Sequence, residues 1–278
     1  VYPTDEPEDW KVRVIPNKYP ALDPDESVDE WGDELRRECR GVGSHEVIIE
    51  SADHRVDWTE LDVDQLDVVL RAWQDRLREH DRDARLRTAV VFKNRGEPAG
   101  SSVEHTHSQL VALPFVPDHL SAKLGGGERY RDRHGECVFC RLAERASEGR
   151  RTVVADEQFV VSAPFASRLP FELRILPREH QSQFSEVSAS TRRAFADALL
   201  DAVDRLERAL DAPPYNAVLY TAPLQSGALD HFHWHLELIP ALTKVAGFEW
   251  GSGSHINPIP PERAAEHLRD IGPRQADS

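Results

Sequence analysis

Two stretches of this chain share one spelling. Glu104–Pro114 reads EHTHSQLVALP and Asp230–Pro240 reads DHFHWHLELIP. A shift of 126 positions lays His105 on His231, His107 on His233, Leu110 on Leu236 and Pro114 on Pro240. The same shift carries His54 of IIESADH onto His180 of RILPREH. Two separate features sharing one offset imply a unit used twice, at a period too long for a short-repeat solenoid. A register two residues longer also fits the strand, pairing His105 with His233, His107 with His235 and Gln109 with Glu237. Side chains alternate with period two, so both registers keep the same histidines on one face.

The rest of the chain follows the same plan twice. KVRVIP (11–16), EVIIE (46–50) and RTAVVF (87–92) are rich in β-branched residues and predict strands. Leu66, Val69, Leu70, Trp73 and Leu77 recur at helical spacing, predicting a helix over about Thr59–His80 with Thr59 and Asp62 as a capping box. In the second half FVVSAP and FELRILP are expected strands. A helix follows over about Ser190–Leu210, with Phe195, Leu199, Val203, Leu206 and Leu210 on one face, before NAVLYTA and the histidine strand. Strand pairs around a helix give an α+β class with mainly antiparallel sheet. SAKLGGGERYRDRHGE (121–136) is expected to be a surface connection between the copies. The block 21–43 has no counterpart in the second half and reads as an excursion.

Composition excludes several classes. A hydrophobic share of 40% with 30% charged residues suits a soluble globular protein, and no apolar run approaches membrane-spanning length. The net charge of −15 argues against a broad nucleic-acid surface, which needs cations to displace counterions, but leaves room for a local phosphate pocket. Three cysteines, Cys39, Cys137 and Cys140, make no disulfide framework and point to a cytoplasmic protein.

In a strand, His105, His107 and Gln109 line one face, with the two histidines roughly 6.6 Å apart. An isolated HxH is more often a solvated pair. Here the pattern recurs in the duplicate, runs into apolar LVALP, and follows the glycine-containing loop NRGEPAGSS (94–102). Backbone N–H groups of such a loop can cradle phosphate oxygens, with Asn94 and Ser102 as further donors.

FKNRGEPAGSSVEHTHSQ, the earlier IPNKYPAL (15–22) and the later GFEWGSGSHINPIPPE (247–262) resemble the galactose-1-phosphate uridylyltransferase family of the histidine-triad superfamily. The likeness runs from about Trp10 to Leu268. It implies two tandem histidine-triad-like domains, a catalytic one over 1–122 and a second over 123–278, and a homodimer. It also implies that His107 attacks the α-phosphorus of a nucleoside diphosphate sugar, releases a sugar 1-phosphate and passes the nucleotide to a second hexose 1-phosphate, with ping-pong kinetics. Imidazole suits this role because much of it is unprotonated near neutral pH. Asn94, Ser102 and Gln109 would hold the α-phosphate, Asn17 the nucleotide, and Glu249 the sugar hydroxyls. For Asn17, a turn residue beside Pro16 is an equal alternative.

Histidine-triad hydrolases carry a third histidine at the place of Gln109. Glutamine cannot donate a proton to a leaving group; its amide can only hydrogen-bond a phosphoryl oxygen. That suffices when the leaving group is itself a phosphate. The substitution therefore favours transfer between phosphates over hydrolysis, and the resemblance implies UDP-glucose with galactose 1-phosphate as the reacting pair, in galactose metabolism. GSGSHINP departs from the best-known uridylyltransferases and is closer to relatives of the ADP-glucose phosphorylase type. A nucleotide hydrolase and a zinc-organised binding module are the competing classes.

Cys137 and Cys140 in ECVFC have zinc-knuckle spacing. A redox CxxC and a buried apolar pair are the other readings of it. The resemblance completes a closed, structural Zn²⁺ site with His180 and His233, for which His231 competes in the shorter register. His54 and His105 match the histidine ligands of an equivalent first-half site, but no CxxC precedes them. The sequence begins at Val1 and has no methionine, so an N-terminal segment carrying that pair is expected to be missing, or the site empty. Cys39 reads as an ordinary thiol.

Overall fold

The computed structural model describes residues 2–3, 10–147 and 149–274 of the chain. The β-branched runs form strands that all pair antiparallel. In the first half these are β1 (Tyr2–Pro3), β2 (Trp10–Pro16), β5 (Ser44–Ile49), β6 (Thr88–Arg95) and β7 (His107–Leu113). In the second they are β8 (Thr152–Ala155), β9 (Phe159–Ser162), β10 (Leu173–Pro177), β11 (Tyr215–Tyr220) and β12 (His235–Pro240). Both sets join in one ten-stranded sheet of order β1-β2-β5-β7-β6-β11-β12-β10-β9-β8. The seam is β6 against β11, where Asn94 faces Asn216. The expected excursion is a separate hairpin of β3 (Glu30–Gly32) and β4 (Arg37–Cys39), which carries exposed Cys39.

The two amphipathic helices are α1 (Val63–Asp81) and α4 (Ala189–Leu210), and their apolar stripes are buried. They pack on the same side of the sheet and on each other. Gln74 Nε2 donates to the carbonyls of Phe184 and Val187 at 2.9 Å each, and Arg192 grips Asp67 at 2.8 Å. Trp58, Trp73, Phe184, Phe195 and Trp234 fill one continuous core beneath both helices. Burying side chains of this size is each worth about 2–3 kcal/mol, so the halves share a single stabilising mass.

Three expectations change. Helix α1 starts later than Thr59: Asp62 is its cap, accepting from the Gln65 amide at 2.7 Å, whereas Thr59 sits in a short 3₁₀ turn and donates to Glu207. The histidine strands start at His107 and His235, so His105 and His231 precede them. The stretch 121–136 is not a loose connection. It belongs to helix α2 (Asp118–His134), ending at Gly135 in the left-handed region, and α3 (Val138–Ala146) follows. Glycine within α2 is explained by close approach: a Cβ on Gly127 would lie 2.2 Å from the His231 carbonyl oxygen. The chain is completed by α5 (Gly247–Ser252) and α6 (Pro261–Ile271). Among the described residues no helix is long and apolar enough to cross a membrane.

Helices α2 and α3 decide how the halves differ. In β7, residues alternate between half-buried odd positions and buried even ones, because only the α1 side is covered. In β12 nearly every position is buried. A second apolar cluster, including Leu120, Phe139, Leu176 and Phe232, lies with α2 and α3. One histidine face is open and the other is closed.

Candidate active site

On β7, Ser108, Leu110 and Ala112 point into the core, with Trp73 Nε1–H donating to Ser108 Oγ at 2.9 Å. His107 and Gln109 take the opposite, accessible face. The His107 Nδ1 atom lies 2.8 Å from the carbonyl oxygen of His105. A carbonyl can only accept, so Nδ1 carries the proton and Nε2 keeps its lone pair. The backbone thereby selects, for the neutral ring, the tautomer with a free Nε2.

A buried network fixes this segment from beneath. Lys93 Nζ lies 2.8 Å from Glu50 Oε2, 2.7 Å from Thr106 Oγ1 and 3.4 Å from the His107 carbonyl oxygen. Thr106 in turn donates to Glu50 at 2.6 Å, and the Lys93 ammonium faces the Trp58 ring at 5.0 Å. Neither Lys93 nor Glu50 reaches solvent, so the ion pair anchors the backbone around His107 rather than meeting a ligand.

Two cavities meet at this strand. One, of about 600 Å³, is lined by Asn94, Gly96, Gly100, Ser101, Ser102 and His107. Its loop turns on Gly96 and Gly100, both at positive φ of 79° and 92°, which side chains with a Cβ rarely adopt. The Asn94 carboxamide is held from the second half: Asn216 Nδ2 donates to Asn94 Oδ1 at 2.8 Å and to the Ala99 carbonyl at 2.7 Å. The other cavity, of about 620 Å³, is more apolar, with Trp10, Ile15, Tyr19 and Val47 beside Gln109 and His107. Asn17 borders it as a turn residue, its Oδ1 accepting from the Tyr19 amide at 2.9 Å. The structure thus brings His107, Gln109, Ser102, Asn94 and Asn17 around one cleft. Glu249 is not among them: it lies on α5, accepts from the Ala246 amide at 3.0 Å and lines neither cavity.

The second half shows the same backbone with different chemistry. His235 Nδ1 lies 2.9 Å from the His233 carbonyl oxygen, matching His107 and His105. This selects the longer register. Yet His235 is fully buried, stacked between Phe139 and Tyr220 at 5.0 Å from each ring centroid. Burial, with the Lys123 and Arg174 cations adding to it, holds its imidazole neutral far below the usual histidine range. Glu237, at the place of Gln109, meets Lys123, Arg168 and Arg174 at 2.8–2.9 Å. Burial opposes its ionisation, but the Lys123 and Arg174 charges outweigh that and hold its carboxyl well below the ordinary range.

Cys137, Cys140, His180 and His233 place one ligand atom each within 4.8 Å of one another, a cluster able to hold a metal ion. Cys140 Sγ is 3.2 Å from His180 Nδ1 and 3.7 Å from His233 Nδ1, close to the ligand spacings of a tetrahedral site. His180 Nε2 meets the Leu229 carbonyl at 3.1 Å, which leaves Nδ1 unprotonated for a metal. Burial, and then the proximity of His180, lowers His233 to about 4, so it too offers a neutral ring. The residues fit a metal. His231 lies outside the cluster. In the first half, the His54 and His105 rings sit 5.4 Å apart, against 5.3 Å for His180 and His233. His105 Nε2 meets the Ser51 carbonyl at 2.9 Å. The histidine geometry repeats, while among the described residues no cysteine pair completes it.

The family model described as galactose-1-phosphate uridyl transferase, N-terminal domain, matches residues 6–117. An ADP-glucose phosphorylase of Arabidopsis thaliana is 34% identical over 94% of this chain and 75% of its own length. The chain belongs to the galactose-1-phosphate uridylyltransferase family. A galactose-1-phosphate uridylyltransferase of Thermotoga maritima is 30% identical over 95% of this chain and 86% of its own. Among solved structures, the Arabidopsis ADP-glucose phosphorylase with bound ADP-glucose superposes with a TM-score of 0.86 at 33% identity, covering 94% of this chain and 82% of that one. These relatives align across both halves of the sheet, beyond the residues matched by the N-terminal-domain model.

Residues that the sequence did not single out complete the site. His45 Nε2 lies 2.8 Å from Gln109 Oε1. It stands on β5 at odd spacing with Val47 and Ile49, so strand alternation does place it on the cleft face. Lys93 and Lys123 were hidden because a lysine in a strand or helix reads as surface until a tertiary partner appears.

Proposed function

We propose that this chain is a nucleotidyltransferase that exchanges hexose 1-phosphates through a covalent nucleotidyl-histidine on His107. The observation that carries this reading is the bond from His107 Nδ1 to the His105 carbonyl, which leaves Nε2 as a lone-pair donor at the junction of the two cavities. Nε2 attacks the α-phosphorus of a nucleoside diphosphate sugar, the bond to the bridging oxygen breaks, and sugar 1-phosphate leaves. The phosphate oxygen of a second hexose 1-phosphate then attacks the same phosphorus and restores neutral His107. Each leaving group is a poor proton acceptor or a free imidazole, so no general acid is required. Gln109 and Ser102 donate hydrogen bonds to the α-phosphoryl oxygens as charge shifts between them, with Asn94 on the loop side. The apolar cavity beside Trp10, Tyr19 and Asn17 suits the base. Glu249, outside this cleft, would reach a sugar only across a homodimer.

UDP-glucose with galactose 1-phosphate is the primary substrate pair. Relatedness at 34% to a protein named ADP-glucose phosphorylase favours a second reading, in which the base is adenine and the acceptor is phosphate. Cys137, Cys140, His180 and His233 would bind Zn²⁺ as four protein ligands, a closed site that supplies structural rigidity.

Incubation with UDP-glucose or ADP-glucose alone, in separate arms, distinguishes these readings. One equivalent of glucose 1-phosphate should appear as a burst, with a uridylyl or adenylyl mass added to the protein and absent from His107→Asn. Steady release of nucleoside monophosphate without an adduct would instead reveal a hydrolase.

A further inference from the structure

A carboxamide has two ends of nearly equal shape and opposite character. For Gln109 to steady a phosphoryl oxygen, its amino end must face the cleft; turned by 180°, it would present lone pairs to an anion. Packing cannot choose between the two orientations, but hydrogen bonding can.

The selecting group is His45. Its backbone position is fixed by the Asn17 amide, which donates to the His45 carbonyl at 2.8 Å. On the sheet His45 stands opposite Val111 while Gln109 stands opposite Val47, so the two side chains are diagonal neighbours on the same face. The Ala21 backbone amide lies 3.2 Å from His45 Nδ1. A backbone N–H can only donate, so Nδ1 is the acceptor nitrogen and the neutral ring carries its proton on Nε2. Nε2–H then donates to Gln109 Oε1 at 2.8 Å. With its oxygen bound, the carboxamide turns its amino group away from His45. The Asn17 amino group also approaches Nε2, at 3.1 Å, while Asn17 Oδ1 is held by the Tyr19 amide at 2.9 Å.

We infer that His45 is a positioning residue for nucleotidyl transfer, a relay from the Ala21 amide that holds Gln109 with its amino end toward the phosphoryl group. This role rests on His107 being the nucleophile. It adds a determinant outside the HxHxQ strand, reaching back through β5 to the chain segment after β2. It predicts that the segment around Ala21, although remote in sequence, influences the chemical step.

The test is the single-turnover rate of His107 modification by UDP-glucose and by ADP-glucose. His45→Asn keeps a side-chain oxygen able to accept from Ala21 but is too short to reach Gln109. His45→Gln places an amino group near the former Nε2. We expect His45→Asn to slow adduct formation about tenfold, the scale of one orienting hydrogen bond, with apparent affinity for the sugar nucleotide changed less than about twofold. His45→Gln should recover the parental rate to within about threefold. In a Gln109→Ala background, His45→Asn should add less than about a twofold loss. His45→Phe repeats the comparison should the asparagine variant lose its cooperative melting transition. A parental rate in His45→Asn, a glutamine variant no faster than the asparagine variant, or a full tenfold loss on top of Gln109→Ala would each overturn the assignment. Absence of any adduct in the parent protein would overturn the nucleophile reading itself; a parental adduct with indifferent His45 variants would overturn only the role of His45.

Discussion

Replacing Lys93 by methionine tests whether the site rests on a buried ion pair. Lys93 and Glu50 are 2.8 Å apart with side chains 1% and 0% exposed. At an effective dielectric of about 20, their attraction is about 6 kcal/mol, most of it cancelled by the cost of taking both charges out of water. Methionine keeps the volume but strands Glu50, whose Oε1 already has no partner, and removes the donor to Thr106 and to the His107 carbonyl. Breaking a buried pair in this way is expected to cost about 3–5 kcal/mol. Urea unfolding followed by tryptophan fluorescence should show that loss, with a melting temperature lower by about 6–10 °C. Adding Glu50→Gln removes the stranded charge and keeps an acceptor for Thr106, so the double variant should regain at least half of the loss. A single variant within 1 kcal/mol of the parent, or a double variant less stable than the single, would refute the reasoning.

Three further outcomes follow from the structure. Gly126→Ala places a methyl group in open space within α2 and should stabilise by about 0.5–1 kcal/mol, whereas Gly127→Ala meets the His231 carbonyl and should destabilise by about 1–3 kcal/mol; thermal melts of the pair compare them directly. If the Cys/His cluster holds a metal as proposed, elemental analysis should find it in the parent and not in Cys140→Ala, and both that variant and treatment of the parent with a strong chelator should lower the melting temperature. Burial alone would raise the Glu46 carboxyl, but hydrogen bonds from His80 and Arg76 outweigh it and bring it down to about 2. Its contribution is therefore complete above the unfolded carboxyl range and lost as pH falls toward 2. Glu46→Gln should flatten the acid limb of a stability–pH profile by about 2–3 kcal/mol.

The candidate site was legible in the sequence to the extent that it follows strand alternation. His107, Gln109 and the glycine loop announce themselves because period-two spacing and turn chemistry are local. The stripes of α1 and α4 were equally plain, since Leu66 to Leu77 and Phe195 to Leu210 repeat at helical spacing over several turns. Helix α2 was not, because GGG argues against a helix wherever no tertiary contact is known; here the glycine at 127 is required by the backbone of the His231 loop. Register within the histidine strands was ambiguous for a similar reason. A two-residue slip preserves the face, and tertiary geometry distinguishes the alternatives: the matching bonds from His107 to His105 and from His235 to His233, and the presence of His233 rather than His231 in the Cys/His cluster.

The sequence alone carried one histidine pattern at two places with a shared offset, and set His107 and Gln109 on one strand face behind a glycine-containing loop. These are properties of residue type and spacing, which the chain carries in one dimension. Tertiary structure decided which histidine face stays open. Helices α2 and α3 cover the second: Phe139 of α3 and Tyr220 of β11 enclose His235, and Lys123 of α2 joins Arg168 and Arg174 around Glu237, while the equivalent face around His107 is left to solvent. Burial depends on what packs from elsewhere in the chain, and no local pattern encodes that.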